Sequence, residues 1–161
     1  MSTVTESPSV RPDAPRPSDS TCLSFAHDAG CIARLRSATG SFLHRTRPHD
    51  PALLADALLV VTELTTNVVQ HTDGPGRLTL TALRNGIAID VSDTSRTLPA
   101  ARLALEDVHG RGLTVVAALT DSLTLTLDPG SGKTIHAHLP NRSTTPFPPA
   151  SHAAPRAHRT W

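Results

Sequence analysis

The chain has 161 residues, of which 38% are hydrophobic, and a formal net charge of +1. This length allows one domain with a sizeable core, and the near balance of charges argues against a nucleic-acid-binding body. No apolar run approaches the roughly 18 residues that span a bilayer, and the first residues lack a signal-peptide pattern. We therefore expect a cytoplasmic protein with no membrane segment and no direct contact with nucleic acid.

Both ends of the chain are rich in proline, serine, threonine and alanine. Such segments cannot bury enough surface to offset the conformational entropy lost on ordering. We predict disorder over residues 1–20 and in a basic tail over residues 142–161, with one folded domain over residues 21–141. Cys22 and Cys31 are too few for a disulfide framework or a metal site.

The folded part opens with a predicted strand over residues 21–26, followed by a helix that Asp28 is expected to cap. The helix should end near His44 and Arg45, where basic side chains suit the negative end of the helix dipole. Its inner face is predicted from apolar residues at spacings of four, three and four, namely Cys31, Leu35, Ala38 and Phe42.

The longest helical pattern begins after Asp50, whose carboxylate can accept from the amides of the first turn. Pro51 stands at the first helical position, where a missing N–H costs nothing. The helix should end before residues 72–76, a dense cluster of helix breakers. Its expected core stripe is Leu54, Leu58, Val61, Leu64 and Val68.

A second, polar face of this helix carries Glu63, Asn67 and His71, which recur every four residues. It presents a carboxylate, an amide and an imidazole in a row. Taken alone, such a triplet is most simply a solvated face.

A hairpin is predicted next, with Asn85-Gly86 as its turn because both residues tolerate positive φ. Its two strands show alternating apolar residues, Leu78, Leu80 and Ala82 in the first and Ile87, Ile89 and Val91 in the second. Asp93 follows on the same inward parity, which is unusual for a carboxylate. The alternative is that the strand has already ended and Asp93 opens a turn.

Residues 94–109 show little pattern, and loops this long are usually lids, binding loops or disordered segments. Gly110-Arg111-Gly112-Leu113 then opens a short helix with Leu113, Val116, Ala117 and Leu119 facing inward. Two glycines at a helix start leave its free N–H groups accessible to an anion. A plain turn is the alternative interpretation.

The last hairpin pairs a strand containing Leu123, Leu125 and Leu127 with one containing Ile135, Ala137 and Leu139. Gly132-Lys133-Thr134 resembles the end of a P-loop, but a strand follows it and Leu127 stands where that motif needs glycine. We therefore reject a P-loop. His136 and His138 share one strand face without an evident third metal ligand, so we expect an exposed strand face.

Three of these features resemble a known family when they are taken in order. They are Glu63 and Asn67 on a helix, Asp93 at a strand end, and Gly110-Arg111-Gly112-Leu113 at a helix start. Together they resemble the ATP-binding fold of gyrase, its related heat-shock chaperone, histidine kinases and anti-sigma-factor serine kinases. Over roughly residues 21–140 the pattern is similar to single-domain anti-sigma-type proteins of actinobacteria. The implied fold is a two-layer α+β sandwich with helices on one face of a mostly antiparallel sheet.

The resemblance also implies roles for individual residues. Asn67 would bind Mg²⁺ through its side-chain oxygen, and Glu63 would be the catalytic base. Asp93 would accept from the adenine amino group, with Thr134 helping to hold the base. The segment Gly110, Arg111, Gly112 and Leu113 would bind the ATP phosphates, and residues 94–109 would form a lid.

The implied function is an ATP- and Mg²⁺-dependent serine/threonine kinase. Its partners would be a small antagonist protein of the anti-anti-sigma type and a sigma factor that it sequesters. Residues 28–45 are by resemblance a partner or homodimer surface. The alternative is a non-catalytic regulatory module, because Asp93-Thr94-Ser95-Arg96-Thr97 lacks the glycines of the family pattern Asp-x-Gly-x-Gly, which predicts weaker ATP binding.

Overall fold

Alternating apolar residues in five segments produce one antiparallel sheet, and three helical segments cover it. The computed structural model describes residues 19–95, 111–130 and 132–142. Its elements in chain order are β1 (Ser20–Phe25), α1 (Cys31–Thr46), α2 (Pro51–His71), β2 (Gly76–Leu83), β3 (Gly86–Asp93), α3 (Arg111–Leu119), β4 (Ser122–Asp128) and β5 (Gly132–Pro140).

The strands lie in the order β1-β2-β3-β5-β4, and every neighbouring pair is antiparallel. The inward rows of β2, β3 and β5 are buried under the helices, as the alternating pattern predicts. The predicted two-layer α+β sandwich is therefore confirmed, with a sheet that is antiparallel throughout.

The central helix α2 starts as predicted and organises the core. The Asp50 carboxylate accepts from the Leu53 amide at 2.9 Å, and Pro51 occupies the first turn. The helix packs against α1, α3, β2, β3 and β5. Its buried face is accordingly wider than one stripe, with Leu53, Ala57, Val60, Val61, Leu64, Thr65 and Val68. The predicted stripe is correct from Val61 onward, and Leu54 packs against the core while half-buried, whereas Leu58 is half-buried outside the core cluster.

The first helix begins differently from the prediction. Its N-cap is Gly30, which has a φ of 90° and makes no side-chain cap. Asp28 instead forms an ion pair with Arg34, whose Nη2 lies 2.7 and 2.8 Å from the two carboxylate oxygens. On the inner face Thr39 rather than Ala38 is buried, because its hydroxyl donates to the Leu35 carbonyl at 2.8 Å and needs no water.

Two smaller expectations are wrong. The β2–β3 turn consists of Arg84 and Asn85, with Leu83 paired to Gly86, and no non-glycine residue in the described ranges has positive φ. Ala117 in α3, which was expected to face inward, is exposed among the described residues.

The domain boundaries at residues 21 and 141 stay predictions, and the described structure includes residues on either side of them. Ser20 already lies in β1. At the other end Arg142 is fixed to α2, where its amide donates to Asp50 Oδ2 at 3.0 Å and its Nε to Asp56 Oδ2 at 2.8 Å. The predicted disorder of the termini otherwise concerns residues 1–18 and 143–161, which lie outside the described residues.

By length and composition alone, α2 could cross a membrane. The core helix of a soluble protein passes the same test, and α2 occupies that position between the sheet, α1 and α3. No membrane is indicated by this helix.

The contact between Gly76 and Phe25 gives a first testable prediction. Gly76 lies opposite Asp93 at the start of β2, and an added Cβ would overlap the buried Phe25 ring. We expect Gly76→Ala to lower the free energy of unfolding by about 1–3 kcal/mol through overpacking. Gly40→Ala is the matched control, because Gly40 lies in α1 with no neighbouring atom within 4 Å. It should stabilise the protein by about 0.5–1 kcal/mol. Urea denaturation followed by circular dichroism measures both, and equal effects would contradict the prediction.

Candidate functional site

The inward row of β3 ends in a buried carboxylate. Ile87, Ile89, Val91 and Asp93 all face the helices, and Asp93 is 7% exposed. The strand therefore extends through Asp93, and the alternative that Asp93 opens a turn is wrong. A buried carboxylate requires partners, because an unpaired charge in the interior is strongly unfavourable.

The partner of Asp93 is Lys133, directly opposite it on β5. Lys133 Nζ lies 3.0 Å from Oδ1 and 2.9 Å from Oδ2, and the two side chains are 8% and 5% exposed. The Lys133 ammonium also donates to the Ser95 carbonyl at 3.2 Å. The Ser95 amide donates to Asp93 Oδ1 at 2.7 Å. Asp93 is thus held by a buried ion pair and one backbone amide.

Gly132 allows β5 to begin this close to the end of β3. It has a φ of +120°, and an added Cβ would overlap the Asp93 carbonyl oxygen. Only glycine combines this conformation with this close approach. The next residue, Lys133, is therefore placed across from Asp93.

The polar face of α2 meets the start of α3. Gly112 is packed so closely against Glu63 that an added Cβ would overlap a carboxylate oxygen. Asn67 lies one turn after Glu63 on the same face, and both side chains are half-buried. Neither forms a side-chain hydrogen bond to the described residues of the protein. A carboxylate and an amide without partners among the described residues, beside a helix start, form a candidate ligand site.

Packing of α3 on the core fixes this arrangement. Val116 is fully buried, and Leu113 and Leu119 pack against the same core while half-buried. Leu113 therefore contributes its side chain to the core, and its backbone lies in the first turn of α3. Gly110, the Arg111 side chain and most of the predicted lid, residues 96–109, lie outside the described residues.

Both groups of residues lie toward the same end of the sandwich. The start of α2 contacts Arg142, just beyond the end of β5, and β5 begins at the other end beside Asp93. Since the loop after α2 also touches Thr94 through Gly74, the C-terminal half of α2 lies toward Asp93. The structure thus brings Glu63, Asn67 and Gly112 together, toward the end of the inner sheet face that holds Asp93.

Thr134 is not brought to this site. It pairs with Ser92, so its side chain lies on the outer face of the sheet, opposite to Asp93 and Lys133. Its hydroxyl donates to Asp128 Oδ2 at 2.8 Å. A role in holding a base would require Thr134 to reach the other face.

His136 and His138 also lie on the outer face, but both are half-buried rather than exposed as predicted. His136 Nδ1 is 2.8 Å from Asp90 Oδ1, and His138 Nδ1 is 2.5 Å from Asp121 Oδ1. Among the residues that the structure describes, no group of three or more metal-binding side chains is present. These histidines therefore pair with carboxylates across the strands.

A cavity of about 610 Å³ lies at the opposite end of the sheet, beside the β2–β3 turn, and includes Arg45, Arg47 and Arg84 in its lining. Arg47 is occupied there by backbone carbonyls, because it donates to Leu83 O and to Thr46 O at 2.8 Å. This cavity is remote from Asp93, and Arg47 serves to join α1 to the hairpin.

Sequence reasoning missed Lys133. In the Gly132-Lys133-Thr134 segment we reject a P-loop from the sequence and assign a role to Thr134 alone, although Lys133 shares the inward parity of Ile135, Ala137 and Leu139. That parity, together with the inward parity of Asp93, could have indicated a buried pair of opposite charges. Lys133 is also the one lysine among the 161 residues of the chain.

The residues at the two parts of the site differ in how well they suit Mg²⁺-ATP. An amide oxygen is a suitable magnesium ligand, and the start of α3 offers backbone N–H groups to phosphates, so Asn67 and Gly112 fit. Asp93, in contrast, is already paired with the Lys133 ammonium and accepts from the Ser95 amide. The phosphate end therefore fits the nucleotide, and the base end does not fit adenine in the simple form that the family pattern implies.

Comparison with protein-family models matches residues 25–138 to the histidine kinase-like ATPase domain. The match includes the helix, strand end and helix start that carry the candidate site residues. No curated protein matches the chain. Because the family match covers more than half of the chain and the fold agrees with it, the protein belongs to the histidine kinase-like ATPase domain family.

Proposed function

We propose that this chain is an ATP-binding regulatory protein that phosphorylates a small antagonist protein on serine or threonine and sequesters a sigma factor. Family membership supports ATP binding and a regulatory role. The kinase activity and the partners rest on the resemblance to anti-sigma-type proteins. The observation that carries the proposal is the pair Glu63 and Asn67, adjacent on α2, half-buried and without protein partners in the described chain, beside Gly112.

Asn67 and Glu63, both on α2, would have different roles in the site. Asn67 would give one oxygen to Mg²⁺, and water and phosphate oxygens complete the coordination of this ion in proteins. Backbone N–H groups at the start of α3 would donate to the phosphates. When bound, Mg²⁺ supplies positive charge that neutralises the phosphate oxygens.

Glu63 is the proposed general base. It would accept the proton of the substrate hydroxyl as that oxygen bonds to the γ-phosphorus, while the bond from this phosphorus to the ADP oxygen breaks. Because phosphoryl transfer depends mainly on positioning and charge stabilisation, few protein groups are needed. The close packing of Gly112 against the Glu63 side chain, with no Cβ between them, would allow this position of the carboxylate.

A non-catalytic binding module is the second candidate. The Asp93–Lys133 ion pair favours it, since a carboxylate already held by an ammonium is a poor acceptor for adenine. The missing glycines after Asp93 point the same way. In this case the protein would act by partner association with weak or no ATP turnover.

Calorimetric titration with ATP and Mg²⁺ tests the nucleotide site. We expect saturable binding by the wild type. Asn67→Ala should weaken Mg²⁺-dependent binding by at least about tenfold, because loss of a residue that only orients a metal ligand already costs about 10–100-fold. Asn85→Ala, an exposed asparagine in the remote β2–β3 turn, is the matched control. Absence of saturable wild-type binding at millimolar ATP would remove the proposal.

Transfer of radiolabelled γ-phosphate separates the two candidates. The purified protein is added to native cytosol, and labelled proteins are compared with and without it. A labelled small protein that depends on the addition supports the kinase. ATP binding without any labelled protein supports the non-catalytic module.

A further inference from the structure

The ammonium group of Lys133 is directed at the Asp93 carboxylate and the loop after it. It donates to Asp93 Oδ1 at 3.0 Å and to the Ser95 carbonyl at 3.2 Å, and it lies 2.9 Å from Asp93 Oδ2. With both side chains less than a tenth exposed, this pair is part of the interior. Lys133 is therefore held beside Asp93 by both carboxylate oxygens and a backbone carbonyl.

Asp93 is equally occupied. Oδ1 accepts from the Ser95 amide and from Lys133, and Oδ2 accepts from Lys133. An exocyclic amino group of a base would therefore have to compete with the ammonium for the carboxylate. Full recognition of that amino group would weaken a buried ion pair, which is unfavourable in the interior.

We propose that Lys133 is a specificity-determining residue that replaces base recognition at Asp93. The cleft then binds nucleoside triphosphates through their Mg²⁺-triphosphate end and does not distinguish a purine with an amino group from one with a carbonyl. This inference rests on the proposed nucleotide-binding function and concerns the same site. It also predicts weak ATP binding.

The test compares ATP with inosine triphosphate, which carries a carbonyl in place of the adenine amino group. Calorimetry with Mg²⁺ present gives the two dissociation constants for the wild-type chain. We expect them to agree within about threefold, whereas a site that hydrogen-bonds a substrate group usually rejects an analogue lacking it by a far larger factor. This measurement uses the unmodified protein, so it decides the proposal even where a variant does not fold.

The variant Lys133→Thr provides the second measurement. It releases Asp93 while keeping a small polar residue opposite it, so we expect ATP to bind at least about tenfold more tightly than to the wild type. Affinity for inosine triphosphate should change by less than about threefold, because that ligand has no amino group to donate. Arg77→Thr is the control, since Arg77 is an exposed cation near the end of β2 that lies beside Asp93. Circular dichroism establishes that each variant is folded.

The outcomes separate the inference from the function on which it rests. A wild type that prefers ATP over inosine triphosphate by about tenfold or more would overturn the inference and leave nucleotide binding in place. A folded Lys133→Thr variant that binds ATP and inosine triphosphate equally well would also overturn the inference. If neither triphosphate binds saturably to the wild type or to Lys133→Thr, the proposed function fails and the inference with it.

Discussion

Asp93→Ala is expected to destabilise the fold by about 3–5 kcal/mol, because removal of one partner leaves a buried charge without compensation. The Lys133 ammonium is 8% exposed and would keep only the Ser95 carbonyl at 3.2 Å. Urea denaturation of the variant measures the loss in the free energy of unfolding.

The double variant Asp93→Leu/Lys133→Met should recover most of that stability. Replacing both members of a buried ion pair by apolar residues is often neutral, or stabilising by about 1–4 kcal/mol. The neighbouring inward residues, Val91 and Ile135, already form an apolar row on these strands. A matched reference is Asp28→Ala, which breaks the exposed ion pair with Arg34 and should cost no more than about 1 kcal/mol. If Asp93→Ala costs as little as Asp28→Ala, the Asp93–Lys133 pair is not buried in solution.

Much of the fold follows from local rules in the sequence. Asp50 followed by Pro51 fixed the start of α2, because the cap and the missing N–H are properties of adjacent residues. Alternation in residues 76–93 placed the inward rows of β2 and β3, because the strand period of two is also local. Asp93 was expected to face inward for this reason, and it does.

The prediction errors in α1 and α2 concern burial, because tertiary packing determines which residues of these helices are buried. Sequence periodicity assumes one apolar stripe, but α2 touches helices and the sheet together, so its buried arc is wider. Threonine was counted as polar, yet Thr39 and Thr65 are fully buried because each hydroxyl donates to the carbonyl one turn earlier, at 2.8 and 2.6 Å. Such bonds make a threonine behave as an apolar residue.

The pairing of Asp93 with Lys133 could not be predicted from the sequence, for a different reason. Asp93 and Lys133 lie 40 positions apart and meet only because β5 inserts between β3 and β4. The register that sets them opposite each other depends on the close approach of Gly132 to the Asp93 carbonyl. Strand order and register are non-local, so the sequence could place each charge on a face but could not pair them.

Gly112→Ala should separate catalysis from stability. The added methyl group would overlap the end of the Glu63 side chain, which is flexible and can move away. The free energy of unfolding should therefore be unchanged, or raised by up to about 1 kcal/mol, since alanine is favoured over glycine in helices. The backbone N–H at this position remains in the variant and can still donate, so affinity for ATP with Mg²⁺ should be retained.

Transfer of the γ-phosphate, in contrast, should fall by about 10²–10⁴-fold in Gly112→Ala, which is the usual contribution of a positioned general base. Glu63→Ala should give the same loss, because in both variants no carboxylate stands where the substrate hydroxyl loses its proton. Gly40→Ala is the matched control: the same substitution in α1, with nothing within 4 Å, should leave transfer unchanged. Loss of transfer in Glu63→Ala but not in Gly112→Ala would mean that Gly112 does not fix the base. Unchanged transfer in both would remove Glu63 from the mechanism.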